Sequence, residues 1–364
     1  MASITKRGST WQYRVNQIVE GKRKPIVKGG FRTKKEAQTA AAEVELSLNK
    51  GIQVIVKERS FAEYFKDWIE LYKSNKHLNT YNRYLNSLER VKEHFKDRPI
   101  QQISRSEYQK FLNEYGTGKT KETVRKLNTH IRACVKDAIE EGYINKDFTQ
   151  KVEYNATVSS KTSDEKHLNY IDSIRFYNEL FNRLSTDTST YHLILLGLVS
   201  GMRFGELTGL TTDCFDFKNN RITIYRSWDY KRGTGFGPLK NEQSKRTISV
   251  DKRVMLEFKK LILALPTNEN GLVFYRQSVI KTVTNEGANK LLRKVLDALE
   301  IDHISIHGLR HTHASVLLYK GSNINSVSKR LGHADIQTTM EHYAHVLKEM
   351  EERDEEIAIN MFTS

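Results

Sequence analysis

The chain has 364 residues, of which 38% are hydrophobic and 28% charged, and its formal net charge is +15. This length predicts two or three domains, and the lack of an 18-residue apolar run or an apolar N-terminal stretch argues for a cytoplasmic protein rather than a membrane-spanning or exported one. The two cysteines, Cys134 and Cys214, are too few and too far apart for a disulfide framework or a structural zinc site.

The first 35 residues hold ten Lys and Arg and a single acid, Glu20. Such a segment favours a polyanionic partner, either nucleic acid or acidic lipid, over a merely solubilising tail. Within it, "TWQYRVNQIV" alternates as a half-buried strand does, and "GKRKPIVKGGF" adds a turn and a second short strand. Thr33 and Glu36 then have capping-box spacing at the start of a helix.

Residues 1–53 are therefore predicted to form a small sheet buttressed by one helix. A two- or three-stranded sheet can enter the major groove, so this block is predicted to bind DNA. The candidate contacts are the basic residues of its strands and turns, namely Arg14, Lys22, Arg23, Lys24, Lys28, Arg32, Lys34 and Lys35.

Residues 58–155 are predicted to form a compact helical bundle. Apolar and aromatic residues recur at helical spacing from Phe61 to Tyr72 and again from Tyr81 onward, which favours a core over a base-stacking platform. Two further capped helices follow in "SRSEYQKFLNEYG" and "KTKETVRKLNTHIRACVKDAIEEGYI". The polar stretch "TVSSKTSDEK" predicts a linker at 157–166.

Residues 167–364 are predicted to form a mixed α+β domain, because helices flank two short antiparallel strands in "DFKNNRITIYRSW" and "SKRTISV". The predicted fold class is thus multidomain and mainly α, with small antiparallel sheets. Four fragments of this block combine cations, histidines and a tyrosine: "GMRFGEL" with Arg203, "GPLKNEQSKRTI" with Lys240, "HGLRH" with His307 and Arg310, and "LGHADIQTTMEHYAHV" with His333 and Tyr343.

Each of these residues has an ordinary structural explanation when taken alone, but together they suit the exchange of one phosphodiester oxygen for another. Two guanidinium groups can hold the non-bridging oxygens. A phenol beside them, with an ordinary pKa of about 10, becomes a workable nucleophile. A lysine can protonate the leaving 5′ oxygen, while histidines donate to the phosphate or shuttle the phenol's proton. The set requires no metal.

In this order, the fragments resemble those of the tyrosine recombinase, or phage integrase, family. The resemblance implies that the helical block is a core-binding domain and the N-terminal sheet an arm-binding domain. It further implies an active site made of Arg203, Lys240, His307, Arg310, His333 and Tyr343, supported by the acid Glu206.

The activity implied by the resemblance is site-specific DNA recombination without cofactor or ATP. The tyrosine would form a 3′-phosphotyrosine and free a 5′-hydroxyl, and the reaction would pass through a Holliday junction. Four protomers would act on core and arm attachment sites of double-stranded DNA to integrate or excise a mobile element. The implied accessory partners are an excisionase and a host DNA-bending protein, at the nucleoid of a bacterial host.

Several alternatives stay open. Lys245 competes with Lys240 for the proton-donor role, and the same chemistry could serve a chromosome-dimer-resolving recombinase or a type IB topoisomerase. A non-catalytic DNA-binding regulator is the alternative of another class, and the complete set of polar fragments argues against it. The basic N-terminal sheet argues for a mobile-element integrase.

The remaining histidines and the tail carry further predictions. His311 is predicted to satisfy its nitrogens in the core and His313 to lie on the surface, and neither is predicted to be chemical. His307 and His311 have the spacing of a metal pair, but a cation lies between them and no zincin glutamate accompanies them, so no metal is expected. The acidic C-terminal tail is predicted to be a solvated helix or an apolar tag that docks on a neighbouring protomer, and we favour the tag.

Overall fold

The structure is a computed structural model that describes residues 2–19, 22–49, 58–160, 167–239, 241–266, 268–276, 281–337, 339–340 and 343. It divides into two compact units, Met1–Ser160 and Lys161–Ser364. The division into three domains at 1–53, 58–155 and 167–364 stays a prediction. None of the helices in the described ranges is long and apolar enough to cross a bilayer.

The first unit begins with an antiparallel sheet of three strands in the order β1-β2-β3. Strands β1 (Ser3–Arg7), β2 (Thr10–Val19) and β3 (Lys22–Phe31) are followed by helix α1 (Lys34–Asn49). The alternation in β2 buries Tyr13 and Val15, which pack against Ala41 of α1. At the start of α1, Thr33 Oγ1 accepts a hydrogen bond from the Glu36 amide at 3.2 Å, so the sheet and helix predicted from the sequence are confirmed.

The pairing register sorts the basic residues of this sheet onto two faces. Lys24 and Lys28 lie opposite Gln17 and Tyr13, on the face that carries α1. The opposite face is not covered by α1, and we call it the open face. Its members, which alternate with the buried positions, include Thr5, Gln12, Arg14, Ile18, Arg23 and Val27.

The first unit continues with four helices: α2 (Phe61–Lys73), α3 (Leu78–Phe95), α4 (Arg105–Gly116) and α5 (Lys121–Glu140). Their buried core is aromatic-rich, as the helical spacing predicts, and includes Phe61, Phe65 and Trp68. Ser104 and Glu107 form a reciprocal capping box at the start of α4. Tyr72 departs from the predicted core, because its side chain is half exposed and its hydroxyl donates to Glu141.

The second unit is mainly helical and carries small antiparallel sheets. Its helices are α6 (Tyr170–Asn182), α7 (Thr190–Ser200), α8 (Phe204–Thr208), α9 (Lys252–Ala264), α10 (Asn285–Ala298), α11 (Ile306–Tyr319) and α12 (Ile324–Leu331). Its strands are β4 (Phe215–Asp216), β5 (Arg221–Ile224), β6 (Ser227–Trp228), β7 (Phe236–Gly237), β8 (Arg246–Ser249), β9 (Tyr275–Arg276) and β10 (Lys281–Thr282). The largest sheet has the order β4-β5-β8.

Helix α7 is the central element of this unit. Its residues "TYHLILLGLVS" are apolar around the whole helix, so α7 is buried and packs against α6, α8, α10 and α11. It ends at Gly201, which has a left-handed φ of 66°. A Cβ at Gly201 would lie 2.7 Å from Leu331 Cδ2 and 2.8 Å from His313 Cδ2, so the close approach of α11 and α12 also requires glycine here.

Candidate active site

Arg203 stands directly after the tight turn at the end of α7, at the N-terminus of α8. Its Nη1 donates to Glu206 Oε1 at 2.7 Å and to Ser244 Oγ at 3.1 Å. Its Nη2 donates to the carbonyl of Gly332 at 3.2 Å. The guanidinium therefore ties together α8, the loop before β8 and the end of α12.

Glu206 is the buried acid of this site, with 3% of its surface exposed. Its Oε2 accepts a hydrogen bond from Arg246 Nη2 at 2.9 Å, in addition to the bond from Arg203 to Oε1. Burial alone would raise the pKa of this carboxyl, but Arg246 and Arg203 outweigh that effect and hold the pKa below its ordinary value. Glu206 is thus an anion that partly neutralises a cluster of buried cations.

Arg246 is a member of this cluster that the sequence analysis did not identify. Its side chain is 7% exposed. Besides its bond to Glu206, its Nε donates to the carbonyl of Arg330 at 2.7 Å and its Nη1 to the carbonyl of Ser244 at 2.8 Å. Arg246 therefore fixes β8 against the end of α12 and orients the carboxylate that holds Arg203.

Arg310 approaches the same turn from α11. That helix is capped by Ser305, whose Oγ accepts from the amide of Gly308 at 3.2 Å. Arg310 is 3% exposed, and its Nη1 donates to the carbonyl of Gly201 at 2.7 Å. The two arginines converge at this turn, because Gly201 lies only two residues before Arg203.

The other donor group of Arg310, Nη2, is buried and has no hydrogen-bond partner among the described residues. Burial, followed by the positive charge of Arg203, lowers the pKa of Arg310 to about 9. A buried cation with an unsatisfied donor is unfavourable unless an anion meets it. The site is therefore electrostatically suited to bind a phosphate.

Tyr343 lies close to this cluster and is 2% exposed. Its ring packs with a small apolar cluster that contains Ala314, Leu318, Val327 and Leu331. The sequence analysis expected neighbouring cations to make this phenol a ready nucleophile. Burial instead raises its pKa above the ordinary value, and the charge of Arg310 offsets only part of that effect, so this expectation was incomplete.

His311 makes a contact that the sequence reasoning missed. Its Nδ1 lies 2.9 Å from Tyr343 Oη, and the two ring centroids are 5.9 Å apart. The prediction that His311 only satisfies its nitrogens in the core overlooked this hydrogen bond. The available signal was its position, directly after Arg310 and one helical turn after His307.

The other predicted histidines of the site differ in their surroundings. His307 is exposed on the first turn of α11, and its ring centroid lies 5.0 Å from that of His311. His333 follows Gly332, whose carbonyl accepts a hydrogen bond from Arg203. The Nδ1 atom of His333 lies 2.7 Å from Thr339 Oγ1. His307 thus adjoins His311 on the helix that carries Arg310, and His333 follows in sequence the residue that accepts from Arg203.

The prediction that His313 lies on the surface was wrong. His313 is 8% exposed, its Nδ1 is 2.9 Å from the carbonyl of Leu198, and its Nε2 accepts from Arg330 Nε at 2.9 Å. Burial, followed by the charge of Arg330, lowers its pKa to about 3, so the ring is neutral. Position 313 lies on the face of α11 that packs against α7, which explains its burial.

Lys240 lies outside the described residues. Its neighbour Asn241 accepts, through Oδ1, a hydrogen bond from Ser244 Oγ at 2.6 Å, and Ser244 in turn accepts from Arg203. The segment that follows Lys240 is thus attached to the arginine cluster. The competing Lys245 is exposed and lies directly before β8.

Three family models match successive parts of the sequence. An arm DNA-binding domain matches residues 2–48, a phage integrase N-terminal SAM-like domain matches residues 60–115, and the phage integrase family matches residues 174–350. The third match contains every residue of the cluster described above.

Relatives of similar length also match. The integrase of Staphylococcus phage L54a is 25% identical over 343 residues, covering 85% of this chain and 95% of the relative. A XerC-like tyrosine recombinase of Caldanaerobacter subterraneus is 24% identical over 351 residues, covering 87% of each protein. A solved structure of the Tn1549 transposon integrase, in complex with a circular intermediate DNA, matches with a TM-score of 0.67 and 18% identity over 81% of this chain and 99% of that one. That likeness shows a shared fold.

Proposed function

The chain belongs to the phage integrase family of tyrosine recombinases, which break and rejoin DNA, and we propose that it recombines the ends of a mobile element through a phosphotyrosine at Tyr343. One observation carries this proposal. Two arginines distant in sequence, Arg203 and Arg310, meet at the Gly201 turn. Among the described residues, Arg310 Nη2 has no hydrogen-bond partner, and the Tyr343 phenol lies nearby.

The arginines bind the scissile phosphate in this proposal. Arg310 Nη2 donates to one non-bridging oxygen and thereby gains the partner that it lacks among the described residues. Arg203, held in place by Glu206, binds the other oxygen. Fixed guanidinium groups stabilise the charge that builds up on the phosphoryl oxygens in the transition state. His307 and His333 donate further hydrogen bonds to the phosphate.

The reaction exchanges one phosphodiester bond for another. Tyr343 Oη attacks phosphorus, the bond to the 5′ oxygen breaks, and Lys240 donates a proton to that leaving oxygen. The 3′-phosphotyrosine keeps the bond energy, so the 5′-hydroxyl of a second strand can attack it and rejoin the DNA without ATP. By analogy with the family, four protomers exchange two pairs of strands in turn, through a Holliday junction.

The test is to incubate the full chain with a nicked duplex that carries its core attachment site, found by sequencing the junctions that the protein makes. The nick makes the fragment that carries the new 5′-hydroxyl short enough to diffuse away. Without that hydroxyl the DNA cannot be rejoined, so the covalent complex is trapped. We expect a band that survives denaturation, and peptide mapping that locates the nucleotide on Tyr343. No covalent band, or a nucleotide on any other of the 17 tyrosines, would contradict the proposal.

The N-terminal sheet favours a mobile-element integrase over a chromosome-dimer recombinase. It matches an arm DNA-binding domain, and its open face presents Arg14 and Arg23 beside the polar Thr5 and Gln12. We propose that the open face enters the major groove of a separate arm site, where cations neutralise phosphates and polar side chains read base edges.

The open face gives a prediction about salt dependence. Replacing Arg14 and Arg23 by Ala should weaken binding to an arm-site duplex and reduce the slope of log affinity against log salt by about two. The matched control replaces Lys24 and Lys28, which removes the same charge from the face that carries α1. Fluorescence anisotropy at several salt concentrations measures both. Equal slopes for the two pairs would exclude the open face as the DNA-binding surface.

A further inference from the structure

The hydrogen bond between His311 and Tyr343 is not explained by phosphate binding. Its two partners come from α11 and from the segment after α12, and they meet at 2.9 Å between Nδ1 and Oη. The tyrosine ring is enclosed by apolar side chains, including Leu318 and Leu331. A buried phenol hydroxyl needs a hydrogen-bond partner, and in this site the partner is a side chain that can also accept a proton.

The nucleophilic attack requires a proton acceptor. Because burial raises the pKa of Tyr343, the phenol keeps its proton at neutral pH. Arg310 stabilises a phenolate but is a cation and cannot accept the proton. Some other group must remove it as the bond to phosphorus forms.

We propose that His311 is a further catalytic residue of this site, which accepts the proton of Tyr343 as the phenol attacks the scissile phosphate. The inference rests on the proposed function. His311 must carry its own proton on Nε2, so that the lone pair of Nδ1 faces the phenol. The Oη–P bond forms, the P–O5′ bond breaks, and the Oη proton passes to Nδ1. The leaving O5′ receives its proton separately, from Lys240.

The same contact serves the rejoining step. When a 5′-hydroxyl attacks the phosphotyrosine, its proton passes back to Lys240, the O5′–P bond forms and the P–Oη bond breaks. Tyr343 Oη is then the leaving group and takes its proton back from His311. Helix α11 places phosphate binding and proton transfer on adjacent residues. Arg310 faces the Gly201 turn, and His311 faces the Tyr343 phenol. His307, one turn earlier with its ring at 5.0 Å, supports the His311 ring edge to face.

The test separates the nucleophile's proton from the leaving group's proton. Single-turnover rates of covalent complex formation are measured on the nicked core-site duplex and on the same duplex with sulfur as the 5′ bridging atom. A thiolate leaves without protonation, so the duplex with sulfur as the 5′ bridging atom should restore the cleavage rate of Lys240→Ala. It should not restore His311→Phe, which we expect to be slower by about 10²–10⁴-fold on both duplexes.

Two further variants distinguish proton transfer from mere support of the ring. His311→Gln keeps a hydrogen-bond acceptor but no base, so it should stay slow, and added imidazole should accelerate His311→Ala but not wild type. His303→Gln is the matched control, because His303 is an exposed histidine outside α11 that contacts Asp297, and its rate should be unchanged. Thermal melting and DNA binding of each variant verify that it is folded.

The outcomes are separable. A wild-type rate for His311→Gln, restoration of His311→Phe by sulfur, or no effect of imidazole on a folded His311→Ala would overturn the role of His311 as proton acceptor. If wild type itself forms no covalent complex, or forms it on a residue other than Tyr343, the proposed function fails instead.

Discussion

Tyr343→Phe is expected to bind the core-site duplex with the affinity of wild type and to form no covalent complex. Phenylalanine fills the same apolar cluster but offers no oxygen to phosphorus. The loss of the hydrogen bond to His311 should cost about 1 kcal/mol of unfolding free energy. The variant should therefore remain folded and should block recombination completely.

The measurement pairs a gel-shift titration with the denaturing gel for covalent complexes. Tyr319→Phe is the matched control, because Tyr319 lies at the exposed end of α11 and stacks on Tyr170; it should keep both binding and cleavage. A covalent band with Tyr343→Phe would mean that a different group attacks the DNA. Loss of DNA binding would mean that the phenol acts in recognition.

The sequence predicts the helices, the strands and the types of side chain in the active site better than it predicts the burial and the partners of those side chains. Alternation and helical spacing were sufficient to identify the N-terminal sheet, the aromatic bundle and the mixed second unit, because local periodicity determines which side of an element is buried. The capping spacing at Thr33 also located the start of a helix, and the stretch predicted as a capped helix begins at its cap, Ser104.

The environment of each group depends on contacts between distant segments, and this is where the sequence reasoning failed. His313 is buried because α11 packs on α7 and Arg330 reaches its ring from α12. The role of Arg246 depends on Glu206, which lies forty residues earlier. The raised pKa of Tyr343 likewise follows from the packing of α11 and α12 around its ring. None of these pairings has a local sequence signal.

Arg310→Met is expected to slow covalent complex formation by about 10³-fold or more, because arginines that meet charge in phosphoryl transfer contribute about 10³–10⁵ in rate. Arg310→Lys should also be strongly impaired, since an ammonium cannot donate through a fork. The same Met substitution should stabilise the DNA-free protein. It removes a buried cation whose Nη2 has no partner among the described residues and fills the space with an apolar chain.

Urea unfolding measures this stability effect, which we expect to be about 1–3 kcal/mol in favour of Arg310→Met at pH 7. The pH dependence has a definite sign. The pKa of Arg310 is lowered to about 9 in the folded protein, so the folded state releases its proton at a lower pH than the unfolded state does. Wild-type stability therefore rises relative to the variant above about pH 9, and the difference between them should shrink there.

Glu206→Gln should have the opposite effect on stability, because Glu206 is the buried anion that compensates the arginines of this site. Its carboxylate accepts from both Arg203 and Arg246, and its loss would leave buried cations uncompensated, at an expected cost of about 3–5 kcal/mol.

Sulfate, which can occupy the phosphate position, should stabilise wild type but not Arg310→Met. If Arg310→Met is less stable than wild type in the absence of anions, Arg310 is a structural cation, and the unsatisfied Nη2 does not mark the place of the DNA phosphate.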